Sequence, residues 1–172
     1  IVDGGSTDGT IEWVTNHGYQ LHSQSRKGLR HAYNEALELV SSEYVVTFSP
    51  DGNSIPELLS PLIEKLRLGY DMVIVSRYLD GAKSEDDDVI TAFGNWFFTR
   101  TVNLLYRGKY TDVMVMYRGW RTDMYKSLDL HFDSTFELYE KLFDTHLGVE
   151  PIMSLRALKQ NLRVAEIPGD EP

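Results

Sequence analysis

Two oxygen-bearing side chains, Asp51 and Asn53, stand two residues apart in Thr47-Phe48-Ser49-Pro50-Asp51-Gly52-Asn53, directly after the apolar run 44–48. A buried strand that delivers a carboxylate and a carboxamide into one loop can turn both onto a single cation. Hard oxygen ligands suit magnesium or manganese, and magnesium in particular takes few protein ligands, filling its shell with water and substrate phosphates. Asp-Gly-Asn is also good turn chemistry, so the same residues can form a turn and nothing more. Asp3 follows another apolar pair and opens Asp3-Gly4-Gly5-Ser6-Thr7-Asp8-Gly9-Thr10. Within it, Asp8 reads as a turn or cap carboxylate for the helix that follows. Arg77 and Arg118 carry the planar guanidinium that fits phosphate oxygens in pairs, or else serve as ion-pair partners. Lys27, at a helix entry, opposes the helix dipole unless an anion lies nearby. Glu150, just before Pro151, is either a general base for a hydroxyl acceptor or a carboxylate that the dipole favours at a helix start.

These residues need elements to hold them. Apolar residues 1–2 end a strand, and a helical pattern starts at Ile11. Leu29, Ala32, Tyr33, Ala36, Leu37 and Val40 follow helical spacing, and 44–48 is a buried strand. Ser54 and Glu57 have capping-box spacing for a helix running to Leu66, with Pro61 delaying its regular start. Residues 71–75 form another strand. Strand alternating with helix predicts a mostly parallel α/β sheet with crossovers, whose ligands gather beyond the carboxyl ends of the strands. Asp3, Asp51 and Arg77 all lie just past such ends. Further along, 79–88 reads as a mobile acidic loop, 93–106 as a helix and 112–117 as an alternating strand. Residues 134–146 and 151–162 read as helices, and 164–167 as a last short strand. Tyr33, Trp96, Phe97 and Phe98 read as core or interface aromatics.

Composition narrows the function classes. The 172 residues suit one domain, 1–172, with one core, and 42% hydrophobic with 25% charged residues is an ordinary globular balance. Twenty-six acidic against seventeen basic residues give a net charge of −9, which is no footprint for a nucleic-acid backbone. The absence of cysteine excludes disulfides and thiolate metal sites, and suits a reducing compartment. No apolar run approaches the ~20 residues that span a bilayer. Ile1 and Val2 read as the end of a strand already begun, so further sequence is expected ahead of them.

Val2-Asp3-Gly4-Gly5-Ser6-Thr7-Asp8-Gly9-Thr10 closely resembles the signature of the inverting GT-A glycosyltransferase family two. The likeness continues through Lys27-Gly28-Leu29-Arg30-His31-Ala32-Tyr33. It extends to Val75-Ser76-Arg77-Tyr78, similar to the Gly-Ser-Arg-Tyr of dolichol-phosphate-mannose-synthase-like members, the polyprenyl-phosphate glycosyltransferases. Asp112 through Arg121 is similar to their Asp-x-x-x-Gly-Phe-Arg segment, and Val164-Ala165-Glu166-Ile167-Pro168 to their Glu-Val-Pro close.

The resemblance implies a GT-A fold whose central sheet is flanked by helices and whose amino-terminal strand lies ahead of Ile1. It implies transfer of a sugar from a nucleoside-diphosphate sugar, with inversion, assisted by Mg2+ or Mn2+. Asp3 and Lys27 are then nucleotide contacts, Asp51 binds metal and diphosphate, Asn53 adds a metal oxygen, and Arg77 and Arg118 meet phosphate. A polyprenyl phosphate acceptor would need no base, whereas a hydroxyl would need a carboxylate such as Glu150. Such an enzyme is expected in the cytoplasm, at the inner face of a membrane if its acceptor is lipid-linked. The stretch 96–106 would then touch the bilayer, or else pack as a core or homodimer helix. The chain departs from the family at Ser49, where the usual Asp-x-Asp has a carboxylate, at Gly4 for a second Asp, and at Arg30 for Gly. Loss of the carboxylate keeps open a nucleotide-sugar binding module without turnover. A nucleotidyltransferase is the other enzyme reading, and it would begin with a glycine-rich phosphate loop.

Overall fold

The computed structural model describes residues 1–49, 51–85, 87–144 and 148–172. The chain forms two compact units, Ile1–Ser42 and Glu43–Pro172, taken here in turn. In the first, strand β1 (Val2–Asp3) pairs in parallel with β2 (His22–Ser23), joined by helix α1 (Thr10–Asn16) and followed by α2 (Leu29–Leu39). Gly9, at φ 92°, makes the turn into α1, a conformation that costs glycine little. Asp8 holds that turn, accepting from Thr10 N (3.1 Å) and Thr10 Oγ1 (2.6 Å), which is the turn role its spacing predicts.

The second unit is built on a four-stranded sheet in the order β3 (Tyr44–Thr47), β5 (Arg118–Arg121), β4 (Met72–Ser76), β6 (Val164–Pro168). Strands β3, β4 and β6 run in one direction, and β5 is inserted antiparallel between β3 and β4. All five residues of β4 are buried, which explains why it reads as a continuous apolar run and not as an alternation. A 3₁₀ turn (Pro56–Leu58) leads into α3 (Leu59–Arg67), whose Leu62 and Leu66 are completely buried. The remaining helices are α4 (Val89–Tyr106), α5 (Thr122–Ser127), α6 (Ser134–Phe143) and α7 (Val149–Lys159).

Several expected elements move, each for a local reason. The strand expected at 112–117 is absent and pairing begins at Arg118, because the Asp112 carboxylate takes up the Met114 and Val115 N–H groups and curls that segment into a turn. Ser54 does not cap a helix; its hydroxyl accepts from Ser49 N (3.2 Å) and closes the loop that carries Asp51. Helix α4 starts four residues early because Asp88 caps it, accepting from Thr91 N at 2.7 Å. The acidic loop is pinned at 83–85: Glu85 N donates to Glu171 O (2.8 Å) and Glu171 N to Lys83 O (2.9 Å). Trp96 and Phe97 are not core residues but stand more than half exposed on α4, grouped around Phe93. Of the helix expected over 134–146, α6 covers Ser134–Phe143, and residues 145 and 146 lie outside the described residues.

Gly119, at the middle of β5, lies under α3: a Cβ there would come within 2.4 Å of Leu62 Cδ2 and 3.0 Å of Leu66 Cδ1. The substitution Gly119→Ala is therefore expected to overpack the α3–sheet contact and destabilise by about 1–3 kcal/mol, measurable as a lowered urea midpoint.

Candidate functional site

The carboxyl ends of β3, β4 and β6 and the entry to β5 meet at one edge of the second unit. They enclose a cavity of about 190 Å³ whose polar lining includes Ser49, Asp51, Asn53, Arg77 and Asp170. Thr47, the last residue of β3, donates through Oγ1 to Met116 O (2.5 Å), tying the strand end to the segment ahead of β5. Beyond it, Asp51 Oδ1 accepts from Asn53 N at 3.0 Å. This is the turn that Asp-Gly-Asn predicts, and both residues line the cavity. The Ser49 hydroxyl, and after it the Asn53 N–H, hold the Asp51 carboxyl below the usual carboxylate range.

The oxygen donors in the lining are hard: one carboxylate and one carboxamide from the loop, with Asp170 also lining the cavity. Among the described residues no three His, Asp or Glu side chains are arranged to hold an ion by themselves. Such a set fits magnesium or manganese shared with phosphate oxygens, and it suits neither a structural zinc site nor a protein-only calcium cage.

Arg77 lines the same cavity, but its charge is already engaged. Nε donates to Asp112 Oδ2 (2.7 Å), Nη2 to Asp112 Oδ1 (3.2 Å) and Nη1 to Glu171 Oε2 (3.0 Å), while Asp87 lies 3.8 Å from Nη1. Despite burial, those carboxylates raise the guanidinium's pKa above its already high ordinary value. Asp112 itself is fully buried. Arg118 is also fully buried, with guanidinium donors on Val115 O, Glu150 O, Val113 O and Ser154 Oγ. It braces the turn from within and does not line the cavity. Glu150 is buried in the first turn of α7 and is likewise absent from the lining.

A second cavity, of about 670 Å³, runs along α4 and is lined by Tyr78, Ala92, Trp96, Arg100, Asn103 and Lys109. Its character differs from the first: two cations and an aromatic face, with no carboxylate in the lining. Burial, and then the bond to Asp87, push the Tyr78 hydroxyl up to about 12, so it stays protonated.

In the first unit Asp3 is buried and its carboxylate accepts from Gly5 N (2.8 Å) and Ser6 N (3.1 Å), an anion held by backbone donors at the strand end. Lys27 is exposed at the tip of the 24–28 loop. That loop is fastened by Glu35, whose carboxylate receives Ser25 N (2.9 Å), Ser25 Oγ (2.6 Å), Arg26 N (3.0 Å) and His22 Nε2 (2.7 Å). Sequence reasoning missed Glu35, Asp112 and Asp170 as site-shaping carboxylates. Only Asp170 had a usable signal, since it follows the end of a strand as Asp51 does.

This architecture is the GT-A fold. Over 99% of its length the chain matches glucosyl-3-phosphoglycerate synthase from Mycobacterium tuberculosis, solved with Mn2+, UDP-glucose and phosphoglyceric acid, at a TM-score of 0.59 and 15% identity, covering 57% of that chain. A second solved mycobacterial protein matches with a TM-score of 0.67 and 16% identity over 99% of this chain and 55% of its own. Residues 1–129 match the Glycosyl transferase family 2 model, and the chain belongs to that family. It is 26% identical to the glycosyltransferase AglJ of Haloferax volcanii over 98% of this chain and 52% of that protein. It is 25% identical to an undecaprenyl-phosphate mannosyltransferase of Micrococcus luteus over 98% of this chain and 69% of the relative. A polyprenol monophosphomannose synthase of Mycolicibacterium smegmatis is 26% identical over 76% of this chain and 53% of that protein. The chain thus spans between about half and two thirds of the length of these relatives.

Two outcomes follow from the carboxylates. Asp112→Ala removes the main ion-pair partner of a buried guanidinium and the acceptor of three backbone N–H groups, and is expected to cost about 3–5 kcal/mol in chemical denaturation. Glu35 is held down to about 2 from an ordinary 4.5, chiefly by the Ser25 hydroxyl and N–H. A depressed carboxylate contributes stability above its unfolded value and loses it as pH falls through the folded one. Hydrogen-exchange protection of the Ser25 and Arg26 amides should therefore decline between pH 4.5 and about 2, and Glu35→Gln should abolish that pH dependence.

Proposed function

We propose that this chain transfers a sugar from a nucleoside-diphosphate sugar to a polyprenyl phosphate, with inversion at the anomeric carbon. The observation that carries the reading is the strand-end cavity lined by the carboxylate and the carboxamide of the 51–53 turn, in a chain of Glycosyl transferase family 2. Asp51 and Asn53 would hold Mg2+ or Mn2+, which when bound offsets negative charge on a leaving diphosphate. Solved structures of glucosyl-3-phosphoglycerate synthase contain Mn2+ with UDP, in keeping with this donor class. Asp3 and Lys27 are the nucleotide contacts in this reading, and Arg77 fixes the cavity wall on which the diphosphate would lie.

The α4 groove supports the acceptor part of this reading. Arg100 and Lys109 offer cations for a phosphate, while Trp96 and Ala92 offer an apolar wall for a prenyl chain. Val89, Ile90, Phe93, Phe97, Leu104 and Leu105 stand exposed on the same helix. No helix among the described residues is long and apolar enough to cross a membrane, so α4 would meet a lipid acceptor at the bilayer surface, on the cytoplasmic side. A phosphate nucleophile is already an anion and needs no base, in keeping with a Glu150 buried away from the cavity lining. Two relatives are by name an undecaprenyl-phosphate mannosyltransferase and a polyprenol monophosphomannose synthase.

The test is a calorimetric panel of uridine and guanosine diphosphates and their sugars, with and without Mn2+, followed by transfer of labelled sugar to a short-chain polyprenyl phosphate. Metal-dependent nucleotide binding that Asp51→Ala weakens at least about a hundredfold, together with label in the lipid, is the expected result. Binding without release of nucleoside diphosphate would instead mark a nucleotide-sugar binding module, the outcome that Ser49 keeps in view. A folded protein that binds no nucleotide would overturn the reading.

A further inference from the structure

Ser49 leaves the Asp51–Asn53 loop with a single formal negative charge for a divalent cation. The lining of the same cavity includes two further carboxylates, from the segment that follows β6. After β6 the chain passes through Gly169, where a Cβ would come within 2.3 Å of Val75 Cγ1 and 2.6 Å of Leu58 Cδ1. Only glycine lets the backbone lie this close to β4, and Gly169 N donates to Ser76 O at 3.1 Å. The next two residues, Asp170 and Glu171, both line the cavity, and their surroundings divide them. Glu171 is spent on Arg77 Nη1 (3.0 Å) and Ser84 Oγ (2.5 Å). Asp170 is exposed and accepts only from Lys83 N, at 2.9 Å on Oδ1, so among the described residues its other oxygen has no donor. Arg77 brings no spare positive charge, since Asp112 and Glu171 balance it.

Building on the metal assignment to Asp51, we infer that Asp170 supplies the second carboxylate to the divalent cation, replacing the one missing at position 49. The ligand pair is moved from two positions of one loop to the segments that follow two strands, β3 and β6, and line one cavity. Each ligand is set by a separate backbone feature: the 51–53 turn on one side and the Gly169 passage on the other. Affinity for a hard cation rises with the charge of its ligands, so the replacement restores what Ser49 removes.

The test is Mn2+ binding followed by electron paramagnetic resonance in the presence of uridine or guanosine diphosphate. It compares the unaltered chain, Asp51→Ala, Asp170→Asn and the double variant Asp170→Asn with Ser49→Asp. Asn keeps an Oδ1 acceptor for Lys83 N–H, so the tail stays in place while one charge is removed. Asp170→Asn is expected to weaken Mn2+ binding about tenfold or more, and Ser49→Asp to recover most of that loss. Unchanged Mn2+ affinity in Asp170→Asn, with Asp51→Ala defective, would overturn the role of Asp170 and leave the metal at Asp51. Equal affinity in the unaltered chain and Asp51→Ala, or none in either, would overturn the metal site altogether.

Discussion

The ion pair between Arg77 and Asp112 is the interaction on which the second unit's working edge depends. Arg77 leaves the end of β4, and Asp112 opens the turn that feeds β5. With Asp112 fully buried, neither partner can be removed without stranding the other in a poor dielectric, a penalty larger than the net gain from the pair itself. The same carboxylate also accepts the Met114 and Val115 N–H groups, so one side chain both neutralises the arginine and shapes the turn. Through its remaining nitrogen Arg77 reaches Glu171, whose backbone grips Lys83 and Glu85. Segments beyond three strand ends are thereby locked to one guanidinium.

That arrangement explains which parts of the structure were legible in the sequence. Strand and helix positions followed from periodicity, because β4 is apolar throughout and α3 carries a clear stripe. The rule that ligands gather beyond strand ends located Asp51 and Arg77 at the cavity. Side-chain direction was not legible: Arg77 and Arg118 both read as phosphate cations or ion-pair partners, and the structure makes one an ion-paired clamp and the other a fully buried brace. An arginine's role is set by the carboxylates and carbonyls that long-range folding brings to it, and local spacing does not carry that information. The alternation at 112–117 misled for a related reason, since a carboxylate that gathers its own neighbours' N–H groups makes a turn whatever the hydrophobic pattern says. Glu35, ten residues from the loop it fastens, has no local signature either.

The electrostatic character of the two cavities is the remaining step. One holds Asp51, Asp170 and Glu171 against an arginine that is already neutralised; the other holds Arg100 and Lys109 with no carboxylate in its lining. The first lining disfavours a bare polyanion, whereas the second presents positive charge to one. The chain joins the two cavities with consecutive residues: Arg77 lines the acidic one, Tyr78 the basic one, and the guanidinium lies 5.4 Å from the phenol ring centre. Asp87 reinforces the junction, accepting from the Tyr78 hydroxyl and approaching Arg77 Nη1. The two cavities thus differ in the charge they present, and Arg77 and Tyr78 form the wall between them. The clamp at Arg77 is placed where losing it would disturb the linings of both cavities.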